Sequence, residues 1–419
     1  MQLIGQKKHT VREWTAKGLA LVLALGIIGD PTRSAAVSTE DTPLETERRK
    51  VDALVAKADS VELRKISPLI FQLAERLLKE RGDGEARPYF EKGLEGNSWA
   101  LPEQLTLGEL LARNGQPQAL QQKAEMVLRV GEEDDVLRRA SRLLGIALPA
   151  EPPAFSTIKE TVPVLCLAPV GNTSPFALGD LRESLAKRLG IAVQIVSLDV
   201  KIPAADRSMK ANWIAKTRER IVTTVKEKPF ARIEIERAGF TVEKIQASDE
   251  ALVAFLLKMT EAEQGTEAAK ALDEMLARDA GAMQWDASVI LDAVQSAVAD
   301  RVGPRLLVLG VTPLDLHGGT SNYLFGIAAT GRFVGVASLH RFRAAFNNEP
   351  PKRERLTERL LKQSLSTIGH MLGVPRCTTP ECARAYPESL VEHDQKPSTL
   401  CPECRAGVEK ALGQKLPAE

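Results

Sequence analysis

The residues of this chain with the clearest capacity for chemistry lie between Leu361 and Cys404. Cys377 and Cys382 form a C-x4-C pair, and Cys401 and Cys404 form a C-x-x-C pair. Four thiolates in two short-spaced pairs can close a tetrahedron around zinc, a structural arrangement with no open coordination position. In an exported chain the same sulfurs can instead form disulfides, Cys377 with Cys382 or either of them with Cys401 or Cys404. Both chemistries stand on the residues alone. Cys166 is left over in either account and lies in an apolar run, where a buried thiol is the plain reading.

A helix must present whatever precedes the first pair. Leu361, Leu365, Ile368 and Leu372 recur at the spacing of one buried helical stripe. Ser366 and His370 are one helical turn apart and share a face. Gly373 suits a C-terminal cap, and Pro375 forbids continuation. His317, His340 and His393 show no ligand spacing that would join them to His370, and His9 falls in a basic leader and is set aside.

The string S-T-I-G-H-M-L-G-V-P-R-C resembles the metzincin pattern H-E-x-x-H-x-x-G-x-x-H followed by a cysteine. Together with the two cysteine pairs it is similar to the form found in archaemetzincins. In such enzymes three histidines bind a catalytic zinc and the glutamate is general base to the zinc-bound water. On that pattern Ser366 stands at the first histidine, Thr367 at the glutamate, His370 at the second histidine and Arg376 at the third. Gly373 matches, and Arg384 replaces the methionine of the Met-turn. One imidazole does not make the ligand set that three make. A threonine hydroxyl is too weak a base near neutral pH, and an arginine brings a fixed positive charge into the metal's place. The resemblance implies one structural zinc on Cys377, Cys382, Cys401 and Cys404 and no catalytic zinc, and it favours zinc over disulfides. Arg376 and Arg384 then either fill the vacated position against a carboxylate or lie exposed.

Composition bounds the alternatives. A chain of 419 residues that is 44% hydrophobic supports two or three domains with real cores. A formal net charge of +1 and 4% aromatic residues give no footing for nucleic-acid binding. The G-x-x-x-x-P segment at Gly171 lacks a phosphate-loop lysine, so it is no P-loop. Residues 1–36 read as a signal peptide or an uncleaved anchor. Lys7, Lys8, Arg12 and Lys17 lead, Gly18 to Gly29 is apolar but short for a bilayer, and Ser34-Ala35-Ala36 offers a cleavage site. Export to a periplasmic or extracellular space, or anchoring through that segment, is therefore expected.

Residues 37–50 read as a polar linker and 51–148 as wholly helical. Short helices joined by tight turns, with comparable segments opening at Ala86 and Ala119, predict an all-α, solenoid-like (tetratricopeptide-like) domain. Pro149 to Pro153 marks a boundary. From 154 to 419 a β-α-β order predicts a mixed α/β sheet: V-P-V-L-C-L-A-P-V, then a helix over Leu178 to Leu189, then Ala192 to Leu198. Ala231 to Glu236 reads as a strand, and a charged helical insertion falls at about 240–283. Arg305 to Val311 is a further buried strand.

The stretch N-Y-L-F-G also resembles archaemetzincins, in which this strand edges the cleft and pairs with an extended peptide. The resemblance puts Asn322, Phe325 and Gly326 in matching places. The expected fold is α/β: a metzincin-like mixed sheet with a zinc-helix and a four-cysteine subsite, behind the helical domain. The expected function is a zinc-braced pseudoenzyme that binds peptide or protein. An active metallopeptidase with rearranged ligands and a disulfide-stabilised structural protein are the alternatives.

Overall fold

The computed structural model describes residues 42–418, apart from 160–161, 229, 299–300 and 319–320. The expected leader, residues 1–36, lies outside the described residues. Among the described residues, no helix is long and apolar enough to cross a membrane. The chain divides into two compact units. One runs over 42–149 with 350–353, and the other over 150–349 and 354–418.

The first unit is helical, and it begins earlier than its composition suggests. Helix Pro43–Val55 takes in residues 43–50, which read as linker. Thr42 caps it by accepting from the Glu45 N–H, and Pro43 sits in the first turn, where a missing N–H costs nothing. The charged run misleads because only its solvent side is charged. Leu44 and Val51 are buried, while Glu47 pairs with Arg76 and Arg48 with Glu85. Helices Ser60–Glu80, Asp83–Gly96, Leu101–Arg113, Pro117–Val130 and Asp134–Leu143 follow, packed chiefly on their sequence neighbours. Leu73, Leu77, Phe90 and Leu110 fill one core between them.

The second unit holds a five-stranded sheet in the order β2-β1-β5-β9-β8, from Ala192–Ile195 (β2), Val164–Pro169 (β1), Leu306–Thr312 (β5), Val334–Ser338 (β9) and Gly326–Ala328 (β8). The first four are parallel, and β8 runs antiparallel along the edge. Alternate residues of β1 and β5 face opposite layers. Leu165, Leu167, Leu307 and Leu309 pack on helices Pro175–Leu189 and Arg353–Met371. Val164, Cys166, Leu306 and Val308 pack on helix Ala287–Val298. Burial on both faces is why these strands read as unbroken apolar runs. A second sheet, order β3-β4-β6-β7, joins Arg207–Ser208 (β3), Met283–Asp286 (β4), Leu316–Gly318 (β6) and Ser321–Leu324 (β7).

Residues 231–236 are not a strand: helix Phe230–Arg237 covers them. The I-E-I-E alternation imitates a half-buried strand, but Ile233 is exposed while Ile235 is buried. Ile235 packs instead with Ile214, Val242, Ile245, Leu252 and Phe255. That local core joins helices from Met209–Glu227 to Asp249–Gln264, so the helical region starts well before residue 240.

Candidate metal centre

Helix Arg353–Met371 is the element from which the site is built. From Arg359 to Met371 every residue but Ser366 and His370 is buried, including polar ones. Arg359 makes two hydrogen bonds to the Asp394 carboxylate, at 2.7 and 2.6 Å, and Lys362 Nζ donates to the Asp394 carbonyl at 3.0 Å. These part-buried, charge-assisted bonds tie helix Leu390–Gln395, and the loop between the cysteine pairs, to the central helix. The helix ends where Gly373 adopts φ 77°, and its N–H and that of Gly331 both reach the His370 carbonyl. The chain then turns into Cys377.

Helix Pro402–Leu412 presents the second pair. Cys401 is its N-cap residue and Cys404 lies in its first turn, so unpaired N–H groups and the helix dipole favour negative charge on sulfur there. The Sγ atoms of Cys377, Cys382, Cys401 and Cys404 all lie within 4.8 Å of one another. Cys377 Sγ and Cys401 Sγ are 3.8 Å apart. Zinc–sulfur bonds of about 2.3 Å in a tetrahedron give an edge of about 3.8 Å. The donor set and its spacing therefore fit a tetrahedral divalent cation. None of the five cysteines is joined in a disulfide, so the disulfide alternative is not the arrangement of this structure.

The sulfurs are served by backbone and side-chain donors. Cys382 Sγ accepts from the N–H groups of Arg384, at 3.4 Å, and Cys401, at 3.3 Å. Cys404 Sγ accepts from Arg384 Nη1 at 3.2 Å. Burial raises the Cys404 thiol well above its ordinary value, and Cys401 is raised by burial too. At Cys377 burial also acts upward, but hydrogen bonding at Thr379 and with the other cysteines outweighs it and the thiol falls below its ordinary value. Metal binding would release the protons of these thiols.

The residues matched to the catalytic pattern behave differently. Ser366 and His370 are the half-exposed positions of an otherwise buried stretch of helix. Burial lowers the His370 pKa below its ordinary value, and the positive charges of Arg384 and Arg376 lower it further. Thr367 is buried; its hydroxyl donates to the Gln363 carbonyl at 3.0 Å and accepts from Gln363 Nε2 at 3.1 Å. Arg376 is exposed, its guanidinium 5.9 Å from the Tyr386 ring centroid. Arg384 is not exposed, and among the described residues it is paired with no carboxylate, contrary to both expectations for it. It is 2% exposed, and Nη2 donates to the carbonyls of Val374, at 2.7 Å, and Pro375, at 2.9 Å. The other histidines do not gather around His370. His317 bonds Asp206, His340 bonds the Pro313 carbonyl, and His393 packs against both Phe325 and Phe342. Among the described residues, the four cysteines are the one group of potential ligands that converges.

Asn322, Phe325 and Gly326 divide between two sheets. Asn322 lies in β7, at the edge of the smaller sheet, and Gly326 opens β8, at the edge of the larger. Phe325 is buried, its ring 4.8 Å from that of Phe342. A buried polar network missed from the sequence supports this region. The Asn322 carbonyl accepts from Asn212, at 2.9 Å, and Gln284, at 3.1 Å. Gln284 also donates to Asp315, which is held by two hydrogen bonds from Arg341. Gln284 and Asp315 stand in the stretches Q-W-D-A (284–287) and T-P-L-D-L-H (312–317), and nothing in their spacing says that they meet.

Comparison with known proteins bears on residues from the second unit. A model described as Peptidase family M54 matches residues 282–410. The archaemetzincin of Pyrococcus furiosus is 38% identical over 109 residues, which is 26% of this chain and 57% of that protein. The archaemetzincin of Aeropyrum pernix is 30% identical over 133 residues, 32% of this chain and 69% of that protein. The chain spans 55–57% of the length of the three Pyrococcus archaemetzincins it matches. A crystal structure of the Methanopyrus kandleri archaemetzincin superposes with a TM-score of 0.36 and 18% identity, covering 62% of this chain and 99% of that one. The sequence relationship, rather than that superposition, carries the family assignment.

Proposed function

The chain belongs to the archaemetzincin family, and from that membership we propose that its second unit is a metal-braced domain that binds peptide or protein and does not cut it. The family is one of zinc metallopeptidases. The observation that carries the proposal is the contrast between two sets of side chains. Four sulfurs converge within 4.8 Å. On the helix that would carry the catalytic metal, His370 stands with Ser366 and a buried Thr367, and beyond its end Arg376 is exposed.

Each part of that helix argues the same way. A lone imidazole near the guanidinium of Arg384 faces a charge that opposes a bound cation. The Thr367 hydroxyl is spent on Gln363 and has no carboxylate's basicity. A zinc held by the four cysteines would be closed to substrate and would supply bracing alone, clamping the loop after the central helix to helix Pro402–Leu412. β7 and β8 are edge strands, the place where an extended peptide adds to a sheet. The helical unit, read as tetratricopeptide-like, offers a docking surface, and export through residues 1–36 completes the proposal.

Elemental analysis of the purified chain is expected to give about one zinc per chain with sulfur ligands by X-ray absorption. A peptide-library cleavage assay is expected to give no turnover that a chelator abolishes. Two zincs per chain, or chelator-sensitive turnover lost in His370→Ala, would overturn the proposal in favour of a peptidase with rearranged ligands.

A further inference from the structure

The guanidinium of Arg384 spans the distance between the two halves of the site. Nη1 donates to Cys404 Sγ at 3.2 Å, while Nη2 donates to the carbonyls of Val374 and Pro375 at 2.7 and 2.9 Å. Its aliphatic stem and Nε lie against the central helix at Gly369, where there is no side chain to displace them. Its backbone N–H donates to a second sulfur, Cys382 Sγ, at 3.4 Å. The residue is 2% exposed. A fixed charge so buried is costly unless it is compensated, and the compensating groups here are carbonyl oxygens and a sulfur.

A divalent cation held by four thiolates carries a net charge of about −2. Such a centre needs positive charge close by when it is shielded from water. Arg384 supplies one such charge in direct contact. Lys396, also buried, stands nearby with Nζ donating to the Ala385 carbonyl at 3.1 Å.

We propose that Arg384 governs how tightly and how inertly the four-cysteine centre holds its metal, by neutralising part of the thiolate charge and by holding the Cys404 sulfur in a hydrogen bond. A sulfur whose lone pair accepts from a guanidinium gives up less electron density to an incoming electrophile and is less easily drawn off the metal. The position that the resemblance assigns to a methionine thus carries a charged group that stabilises the neighbouring metal centre. This inference rests on the proposal that the four cysteines bind a metal.

The test uses the full-length zinc-loaded chain, Arg384→Met and Arg384→Gln. Zinc is withdrawn by a competing chelator, and metal release is followed during alkylation with N-ethylmaleimide. Arg384→Met is expected to bind zinc about 10- to 100-fold more weakly and to release it faster on alkylation. Arg384→Gln, which keeps an N–H but no charge, is expected to fall between the two. Mass mapping of partly alkylated protein adds a second readout. Cys404 is expected to react later than Cys401 in wild type, and the loss of that order in Arg384→Gln reports the guanidinium. Equal affinity and release rates in wild type and variants overturn the inference. If Arg384→Met does not fold, Arg384→Gln and the alkylation order decide, and Cys404 reacting no later than Cys401 overturns it. A wild type that takes up no zinc overturns the metal-site proposal itself and is distinguished from these outcomes at the first step.

Discussion

Arg384 lies so close against Gly369 that no Cβ fits between them. The central helix therefore carries a glycine in its interior, ordinarily a loss of roughly 0.5–1 kcal/mol against alanine, at the point where a buried guanidinium crosses it. Gly369→Ala is expected to destabilise the protein by about 1–3 kcal/mol, because overpacking outweighs the gain in helix propensity. Gly179, in helix Pro175–Leu189 with nothing within 4 Å of its added Cβ, is the control. Gly179→Ala is expected to stabilise by about 0.4–1 kcal/mol. Urea denaturation of both variants and of Gly369→Ala/Arg384→Met measures this, with the double variant expected to cost less than the sum of the singles. An additive double variant would mean the contact is not the cause.

Replacing any one of Cys377, Cys382, Cys401 or Cys404 by serine is expected to remove most of the bound zinc and to lower the unfolding temperature. A ligand set reduced to three sulfurs no longer closes the tetrahedron. Cys166→Ser removes a thiol of the apolar layer beneath β1 and is expected to leave zinc content unchanged. Metal analysis of the five variants alongside thermal melts decides this. Unchanged zinc in any of the first four would exclude that sulfur as a ligand.

His393 gives an acid-sensitive term. Its ring is fully buried against Phe325 and Phe342, and neither ring nitrogen has a hydrogen-bond partner among the described residues. Burial pushes its pKa well below the usual value, with the positive charges of Lys396, Lys362 and Arg359 adding to the effect. The folded state thus holds this histidine neutral, while the unfolded chain protonates it near pH 6.5. Unfolding takes up a proton at acid pH, so the contribution is constant above about pH 6.5 and stability falls as pH drops below it, by up to about 1.4 kcal/mol per pH unit. The stability gap between wild type and His393→Leu is expected to shift in favour of the leucine variant from pH 7.5 to 5.5. A gap that does not change with pH would show that His393 is not the titrating group.

Asp315 joins Arg341 and Gln284, and through Gln284 the Asn322 carbonyl of β7. Asp315→Leu leaves the Arg341 guanidinium buried without its counter-charge, so a loss of about 3–5 kcal/mol is expected. The double variant Asp315→Leu/Arg341→Met removes both charges and is expected to recover most of it. Hydrogen exchange should show faster opening of Ser321–Leu324 in the single variant. Protection equal to wild type there would separate the ion pair from the sheet edge.

The strands over 164–169 and 306–312 were readable as continuous apolar runs, because a strand buried on both faces admits little else. The candidate ligands were readable too, since metal-binding pairs are local in sequence and sulfur chemistry allows few uses. Period-2 alternation failed at 231–236. There the pattern had no neighbouring strand to pair with, and the apolar side chains went into a helical core.

Tertiary structure alone decided the rest. Local spacing sets each cysteine pair, but the meeting of Cys377 with Cys401 depends on the loop that Arg359 and Lys362 pin to Asp394. Arg384 read equally well as exposed or as a partner for a carboxylate. Its true partners are carbonyls and a sulfur, brought together by a helix end and a helix start far apart in the chain. Burial of a charge is settled by what surrounds it in three dimensions, and no spacing of residues encodes that environment.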